Sequence, residues 1–445
     1  MTALCFALFL AAVAFCLIAG HKLFWALTLG LVLFFLLGLH RGFSPRELAT
    51  MAWTRGKKSL IVVQVFLTIG MITALWRSSG TIAFFLYHGL RAISPRLFLL
   101  VAFLLCAVLS FTLGTSMGVT GTAGVVLITL ARSGGVDLAV TAGAILSGAY
   151  FGDRCSPMSS CATLVAACTE TQLYANVREM LKTAALPTLL TTLIYAVLSI
   201  RNPITTVDTE VLTALSQQFS LHWAVLLPAV VMLALPFLKV PVKWAMAISA
   251  ILAFALTILL QRMPVFEAIR TAVLGFSPQD AVLRHSLSGG GIFSMAHSAG
   301  VVFVTGLYAG ILEETHILDP VHGWTERLAA RIGLFPAMIL VSLSIAAVFC
   351  NQSVTVLMGE QLMGPSYRQK GASRTELAMD IANSGVLIAG LVPWSIALTV
   401  PLAMLGVGLD AVPYEVLLYL IPLCYLFTKR YYQAGQNPVQ PIERT

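Results

Sequence analysis

Two long stretches of the chain carry no charged side chain, one from Leu97 to Ala131 and the other from Ile381 to Leu409. An apolar run of about 18 residues is enough to cross a bilayer as a helix. As one straight helix the first stretch would measure about 52 Å, whereas the hydrocarbon layer is only about 30 Å thick. This stretch therefore predicts a membrane protein whose helices are interrupted inside the bilayer.

The composition of the whole chain supports the same conclusion. Hydrophobic residues make up 58% and charged residues 10% of the chain, against about 25% charged residues in soluble domains. We predict an all-α polytopic membrane protein with roughly 10–12 transmembrane helices, since several apolar segments are short enough to be half-helices or re-entrant hairpins. Residues 1–19 lack a basic start and a cleavage site, which favours a retained first helix over a signal peptide.

The net charge of +8 comes from basic residues in short loops, which is typical of a membrane protein and not of a nucleic-acid-binding one. Residues 40–58 contain five Lys or Arg and one acid, so this loop is predicted to be cytoplasmic. The predicted division is a first repeat over 1–200, an extracytoplasmic linker over 201–220, a second repeat over 221–428 and a cytoplasmic tail over 429–445. Both termini would then be cytoplasmic in a multi-pass plasma-membrane protein.

Similar residues recur 236 positions apart in the two halves of the chain. The matched positions are Gly70 and Gly306, Arg77 and Glu313, Thr115 and Asn351, Pro157 and Pro393, and Ser159 and Ser395. The loop charges predict that the first half begins inside and ends outside, and that the second half runs the opposite way. Two inverted-topology repeats are typical of secondary transporters, whose binding sites lie between the repeats near the middle of the membrane.

The segment FTLGTSMGVTGTAG, residues 111–124, is where the first uncharged stretch can break. Its four glycines are interspersed with hydroxyl residues, and a broken helix exposes carbonyl groups beside those hydroxyls. Thr115, Ser116 and Thr120 are therefore candidate oxygen ligands for a small cation. The same spacing of small residues also suits close helix packing, and the sequence leaves both interpretations open.

The segment GAYFGDRCSPMSS places Asp153 and Arg154 inside an apolar region. A carboxylate within a membrane is costly and commonly marks an ion or proton pathway. Pro157 favours a helix end just before it, so Asp153 would lie at a break together with Ser156 and Ser159. These three residues are the candidate sodium ligands, and a surface ion pair between Asp153 and Arg154 is the alternative.

Polar residues recur at the corresponding places of the second half and form a candidate partner site. The candidates are Asn351, Ser353, Asp380, Asn383, Ser384 and Ser395. Arg77 and Glu313 complete the candidate ion- or substrate-binding residues. These two could form an opposite-charge pair between the halves, or each could face headgroup water at a helix end.

Five stretches strongly resemble the NhaC-type sodium/proton antiporter family, namely IGMITALWRSSGT, GTSMGVTGTAGV, AGAILSGAYFGDRCSPMSS, GILEET and NSGVLIAGLVPWS. Members of that family exchange sodium for protons, and relatives exchange malate for lactate. The resemblance covers roughly residues 20–428 and implies two inverted halves, each with a re-entrant hairpin and an interrupted helix. The positions that match the family's motifs are Asp153, Ser156, Pro157, Ser159, Glu313, Asn351, Ser384, Gly385, Pro393 and Trp394.

The chain also departs from the family's pattern. Ser160 stands where the family has the aspartate of an Asp-Thr-Thr triplet, and Ala382 and Asn383 stand where it has a glutamate and an aspartate. Three carboxylates of the family's core are thus missing, and Asp380 lies one turn away. Fewer titratable groups, together with Arg77 where the family has an uncharged residue, predict weak sodium/proton exchange and an organic anion as substrate.

The predicted function is secondary active transport by alternating access, as sodium/proton antiport or sodium-coupled exchange. Coupled transport of a small organic anion or amino acid is the alternative, and a passive channel is a more remote one. An intramembrane protease is disfavoured because Tyr150 replaces a glycine of the Gly-x-Gly-Asp motif, so the protein is predicted not to be an enzyme. The sodium ion or the proton is the expected coupling ion, with no other cofactor. The expected partners are the lipid bilayer and a small ion or organic substrate, with a homodimer left open.

Overall fold

The computed structural model describes residues 2–19, 23–92, 96–203, 209–238, 240, 242–280, 283–284, 287–315 and 322–433. Within them the regular structure is helical, apart from one isolated antiparallel bridge between Phe276 and Gly289. The helices of the first half are α1 Thr2–Ile18, α2 Leu23–His40, α3 Pro45–Ser78, α4 Thr81–Ala92, α5 Phe98–Leu113, α6 Ser116–Val119, α7 Val125–Ser133, α8 Leu138–Cys155, α9 Ser160–Cys168 and α10 Leu173–Arg201.

The helices of the second half are α11 Thr209–Gln218, α12 Leu227–Phe237, α13 Val242–Leu259, α14 Val265–Leu274, α15 Ala296–Glu314, α16 His322–Ile332, α17 Leu334–Phe349, α18 Gln352–Gln369, α19 Arg374–Asn383, α20 Gly385–Ile388, α21 Ile396–Leu405 and α22 Val416–Gln433. A π-helical turn spans Thr120–Gly124, and 3₁₀ turns span Trp223–Leu226, Ile292–Met295 and Leu409–Tyr414. The predicted linker and tail lie partly outside the described residues, so their boundaries stay predictions.

The all-α polytopic prediction is confirmed, although few of the helices are long. Among the described residues, α10 is the one helix long and apolar enough to cross a membrane by length and composition, with 29 residues. The end of α3 (Leu67–Ser78) and the start of α4 (Thr81–His88) pass that test together, with a bend of 61° between them. Other apolar helices, such as α5 and α17, have 10–17 residues. The number of full crossings stays a prediction.

The first uncharged stretch is broken after α5, as the sequence predicts. Gly114 follows the last residue of α5 with φ +69°, a left-handed conformation that favours glycine. A side chain on Gly114 would overlap the backbone of Met158 and Ser159. The break after α5 therefore lies directly against the break between α8 and α9, where Ser159 is the N-cap of α9.

Helix ends and caps recur in the second half 236 residues later. Cys350 follows α17 with a left-handed φ of 55°, at the position that corresponds to the glycine after α5. Asn351 is the N-cap of α18 and Ser395 is the N-cap of α21. The backbone N–H of Ile396 donates to the carbonyl of Cys350 at 2.9 Å, which joins these two breaks. The inverted orientation of the halves and the re-entrant hairpins stay predictions.

The buried apolar side chains form two large clusters that meet along α8. One cluster draws on α3, α5, α7 and α8 and includes Ala149. The other draws on α1, α2 and α15 to α19 and includes Cys155. Gly152 lets α8 approach α5 closely, because a Cβ at this position would overlap the backbone of α5. Helix α8 thus carries Asp153 to the boundary between the two clusters.

Candidate functional site

The carboxylate of Asp153 connects the two halves of the chain. It lies near the end of α8 with 4% of the residue exposed. Its Oδ2 accepts a hydrogen bond from Ser116 Oγ of α6 at 3.1 Å and another from Gln352 Nε2 of α18 at 3.2 Å. Gln352 Nε2 also donates to the carbonyl of Val386 in α20 at 2.8 Å. One buried carboxylate therefore contacts polar groups at the breaks of both halves.

The other hydroxyl residues predicted around Asp153 hold the backbone of the breaks. Thr115 Oγ1 accepts from the N–H of Gly118 at 3.2 Å and caps α6. Ser156 Oγ accepts from the N–H of Met158 at 3.0 Å, and Ser159 Oγ donates to the carbonyl of Asp153. These bonds fix the shape of the break, because groups left free at a helix end need partners.

Thr120 forms a hydrogen bond within its own helical segment, and its role as an ion ligand stays a prediction. Its Oγ1 donates to the carbonyl of Ser116 at 2.8 Å within the same short helical region. Of the predicted hydroxyl ligands, Ser116 is the one for which the structure shows a hydrogen bond to the Asp153 carboxylate. The sodium ligation by Asp153, Ser156 and Ser159 stays a prediction.

The surface ion pair between Asp153 and Arg154 is wrong, because Arg154 is fully buried and its guanidinium binds groups of both halves of the chain. Its Nε donates to the carbonyl of Ala382 at 3.2 Å, and its Nη2 donates to Asn383 Oδ1. Further bonds reach Thr183 Oγ1 at 2.8 Å and the carbonyl of Met180 at 3.0 Å, both in α10. Asn383, a candidate for the partner site, therefore binds the guanidinium of Arg154.

The remaining polar candidates of the second half shape its breaks. Asn351 Oδ1 accepts from the backbone N–H of Ser353 at 2.9 Å, and the side chain of Ser353 is exposed. Ser395 Oγ accepts from the N–H of Ala397 at 3.3 Å. Ser384 Oγ donates to the carbonyl of Asp380 at 2.6 Å. The contact with Asp153 comes instead from Gln352, which the sequence pattern does not single out although it follows Asn351.

Asp380 lies in a separate ionic cluster between α18, α19 and α22. It is fully buried, and its Oδ2 accepts hydrogen bonds from Tyr367 and from Lys429 Nζ. Lys429 Nζ also lies 2.9 Å from Glu376 Oε1. The sequence pattern indicates Lys429 only as the start of a cytoplasmic tail, because Lys429 and Arg430 together follow the apolar part of α22.

Arg77 and Glu313 do not form a pair. Helices α3 and α15 pack against each other in opposite directions, since the N–H of Gly291 donates to the carbonyl of Gly70 at 2.6 Å whereas Leu48 packs against Ile311. Position 77 therefore lies at one end of this pair and position 313 at the other. The side chain of Glu313 lies outside the part of the chain that the structure describes, so its exposure to headgroup water stays a prediction.

Arg77 faces the interior instead of headgroup water. It is 7% exposed, its Nη1 donates to the carbonyl of Thr73 at 3.1 Å, and its Nε has no partner among the described residues. A cavity of about 570 Å³ begins at the next residue, Ser78, and is also lined by Arg262 and Arg270. The described residues contain no group of three or more His, Cys, Asp or Glu side chains that could hold a metal ion.

Comparison with known proteins assigns the chain to a family. The model of the Na⁺/H⁺ antiporter family matches residues 1–162 and 148–431. The chain is 31% identical to the malate-2H⁺/Na⁺-lactate antiporter of Bacillus subtilis over 81% of its own length and 78% of that protein. It is 26% identical to the Na⁺/H⁺ antiporter NhaC of Alkalihalophilus pseudofirmus, over 80% and 78% of the two chains. It is also 26% identical to the arginine/ornithine antiporter ArcD of Halobacterium salinarum, over 81% and 76%. The chain therefore belongs to the Na⁺/H⁺ antiporter family.

Proposed function

We propose that the protein exchanges sodium ions for protons across the plasma membrane by alternating access, with Asp153 as the shared coupling site. The observation that carries this proposal is the contact of one buried carboxylate with Ser116 in the first half and Gln352 in the second. A carboxylate inside a membrane protein holds either a proton or a metal cation at low cost, and is costly when it is ionised alone. Sodium and protons then compete for one group.

That competition provides the exchange. A proton converts Asp153 into a neutral acid, whereas a sodium ion neutralises the ionised carboxylate. We expect the hydroxyl of Ser116, which contacts the carboxylate, and those of Ser156 and Ser159 at the neighbouring break to complete a sodium shell. Because the contacts of Asp153 come from both halves, relative motion of the halves changes what surrounds the carboxylate. Only a neutralised carboxylate crosses between the two states without a large electrostatic penalty.

Family membership favours transport over the intramembrane-protease and passive-channel alternatives. The relatives carry names of exchangers, and an exchanger requires that the site be occupied before it changes sides. Cytoplasmic termini and a homodimer remain expectations that accompany the proposal.

A carboxylate-containing organic substrate is the second candidate. It is supported by Arg77, a buried guanidinium whose Nε has no partner among the described residues. An unpaired buried cation is costly, and an organic carboxylate would offset its charge. The neighbouring cavity is lined by two further arginines, Arg262 and Arg270, and by one acid, Glu267. One relative is named a malate-2H⁺/Na⁺-lactate antiporter.

The test is exchange by the purified protein in proteoliposomes. A sodium gradient is imposed while an enclosed dye reports internal pH, first with sodium alone and then with malate, lactate or arginine on either side. Proton movement driven by sodium alone is the expected result, in contrast to the weak exchange that the missing carboxylates predict. If protons move only when an organic carboxylate is present, the organic-substrate exchanger is the correct function and sodium/proton exchange is not. Absence of coupled flux in every arm, with protein-free liposomes as the control, would refute both.

A further inference from the structure

Glu415 is a buried acid with no hydrogen-bond partner for its carboxyl group. It lies between the 3₁₀ turn Leu409–Tyr414 and α22, and it is fully buried. Its backbone is paired, since its N–H donates to the carbonyl of Val412 at 3.1 Å. Among the described residues, neither carboxyl oxygen has a partner. It is not among the residues that the sequence pattern indicates.

The titratable groups that face Glu415 are tyrosines. Tyr150 of α8 and Tyr195 of α10 lie in one buried cluster with Leu417 and Leu418, and Tyr419 of α22 donates to the carbonyl of Val412 at 3.2 Å. No basic side chain among the described residues is paired with Glu415. An ionised carboxylate without a counterion or a hydrogen-bond donor is strongly disfavoured in such a setting. The neutral acid is the form that these surroundings accommodate, so the site holds a proton.

Helix α8 connects Glu415 to Asp153. Tyr150 lies on α8 three residues before Asp153 and packs in the same buried cluster as Leu417, and its hydroxyl donates to the carbonyl of Ala397 at 2.6 Å. One helical turn earlier, Ser147 Oγ accepts from the backbone N–H of Leu417 at 3.3 Å. The helix that carries the proposed coupling carboxylate is therefore bonded to the segment that carries Glu415.

Hydroxyl groups bracket Glu415 on both sides without bonding its carboxyl group. Tyr195 donates to the carbonyl of Tyr414 at 2.6 Å and shares a 2.8 Å hydrogen bond with Ser147. A small displacement of α8 relative to α10 would change the hydrogen bond between Ser147 and Tyr195, so that their hydroxyls could donate to the carboxyl oxygens and stabilise the ionised form. The exposed residue Asp410 lies five positions earlier, so water is near the same segment.

We propose that Glu415 is a second proton-binding site of the antiporter, coupled to Asp153 through the movement of α8. The proposal rests on the proposed exchange of sodium for protons. In one state the carboxylic acid keeps its proton among the tyrosines. In the other, Glu415 transfers the proton to water and the carboxylate is left with the hydroxyls of Ser147 and Tyr195 as donors. A transport cycle then moves one proton more than Asp153 alone would carry.

The decisive variant is Glu415→Gln, which keeps the shape of the neutral acid but holds no exchangeable proton. Its matched control is Asp410→Asn, the same acid-to-amide change at an exposed position of the same segment. In proteoliposomes we measure protons moved per sodium ion and the pH dependence of the flux. The Gln variant should move one proton fewer per cycle and show a flatter pH profile, whereas the control should match the wild type.

The possible outcomes separate this proposal from the proposed function. A Gln variant with the proton count and pH profile of the wild type would overturn the assignment of Glu415 alone. A wild-type protein that moves no protons would overturn the proposed function and this proposal with it. If the variant does not fold, infrared spectra of wild-type protein with isotope-labelled glutamate replace it. A protonated glutamate band that disappears over the pH range in which transport rises supports the proposal, and absence of that band contradicts it.

Discussion

Replacement of Asp153 by Asn isolates the charge of the proposed coupling site. The amide keeps the size of the carboxylate, and its oxygen can still accept from Ser116 Oγ and Gln352 Nε2. The free energy of unfolding should therefore change by no more than about 1 kcal/mol. The charge itself is lost, and two unit charges about 4 Å apart interact by about 4 kcal/mol at an effective dielectric constant of about 20. Sodium binding should accordingly weaken by about 10³-fold.

The assay is sodium binding to the purified protein by calorimetry, followed by sodium-driven proton flux in proteoliposomes. Asp137→Asn is the matched control, because Asp137 caps the N-terminus of the same helix and accepts from the N–H of Ala139 at 2.8 Å. This control should lose up to about 1 kcal/mol of stability and keep its sodium affinity. Sodium binding by the Asp153 variant within about tenfold of the wild type would refute the role of the carboxylate.

Two further substitutions test the structure around the site. Gly152→Ala places a Cβ against the backbone of α5 and should lower the free energy of unfolding by about 1–3 kcal/mol, whereas Gly323→Ala, with nothing within 4 Å of its Cβ, should not. Equal thermal midpoints for these two variants would contradict the close packing. Arg154→Lys keeps the charge, but the ammonium group cannot reach both Asn383 and the carbonyl of Ala382 as the guanidinium does. The free energy of unfolding should therefore fall by about 1–3 kcal/mol. An unchanged unfolding midpoint would count against that network.

The positions of the helix breaks were predictable because their causes are local. Gly114 supplies a left-handed turn, Pro157 withdraws a backbone donor, and Ser159 and Asn351 cap the helices that follow. A resemblance to a family reinforced these expectations without being needed for them. The contact between Ser116 and Asp153 was predictable as well. It joins two helix breaks, and the residues around each break indicate its position.

Contacts between distant helices were not predictable, because they depend on how the helices slide and rotate against one another. Nothing near Gln352 shows that its amide meets Asp153, and nothing near Lys429 shows that it meets Asp380. The pairing of Arg77 with Glu313 failed for a related reason. Positions that correspond in a repeat are equivalent in their own halves, and equivalence does not imply contact. In the antiparallel packing of α3 and α15, such positions lie at opposite ends.

The neutral side chain of Asn383 affects the strength of the coupling site next to it. Arg154 adjoins Asp153 in the chain, and its positive charge opposes the binding of a cation there. Among the described residues the guanidinium is held by carbonyl, amide and hydroxyl oxygens, including Asn383 Oδ1, and not by an acid. Asn383→Asp would supply a counterion to Arg154, so sodium should bind more tightly. The gain in affinity should be smaller than the loss in Asp153→Asn, because the new carboxylate would contact Arg154 and not the sodium ion. Calorimetry that shows unchanged or weaker sodium binding by the Asn383→Asp variant would contradict this account. The neutral residue at position 383 would then not determine the sodium affinity.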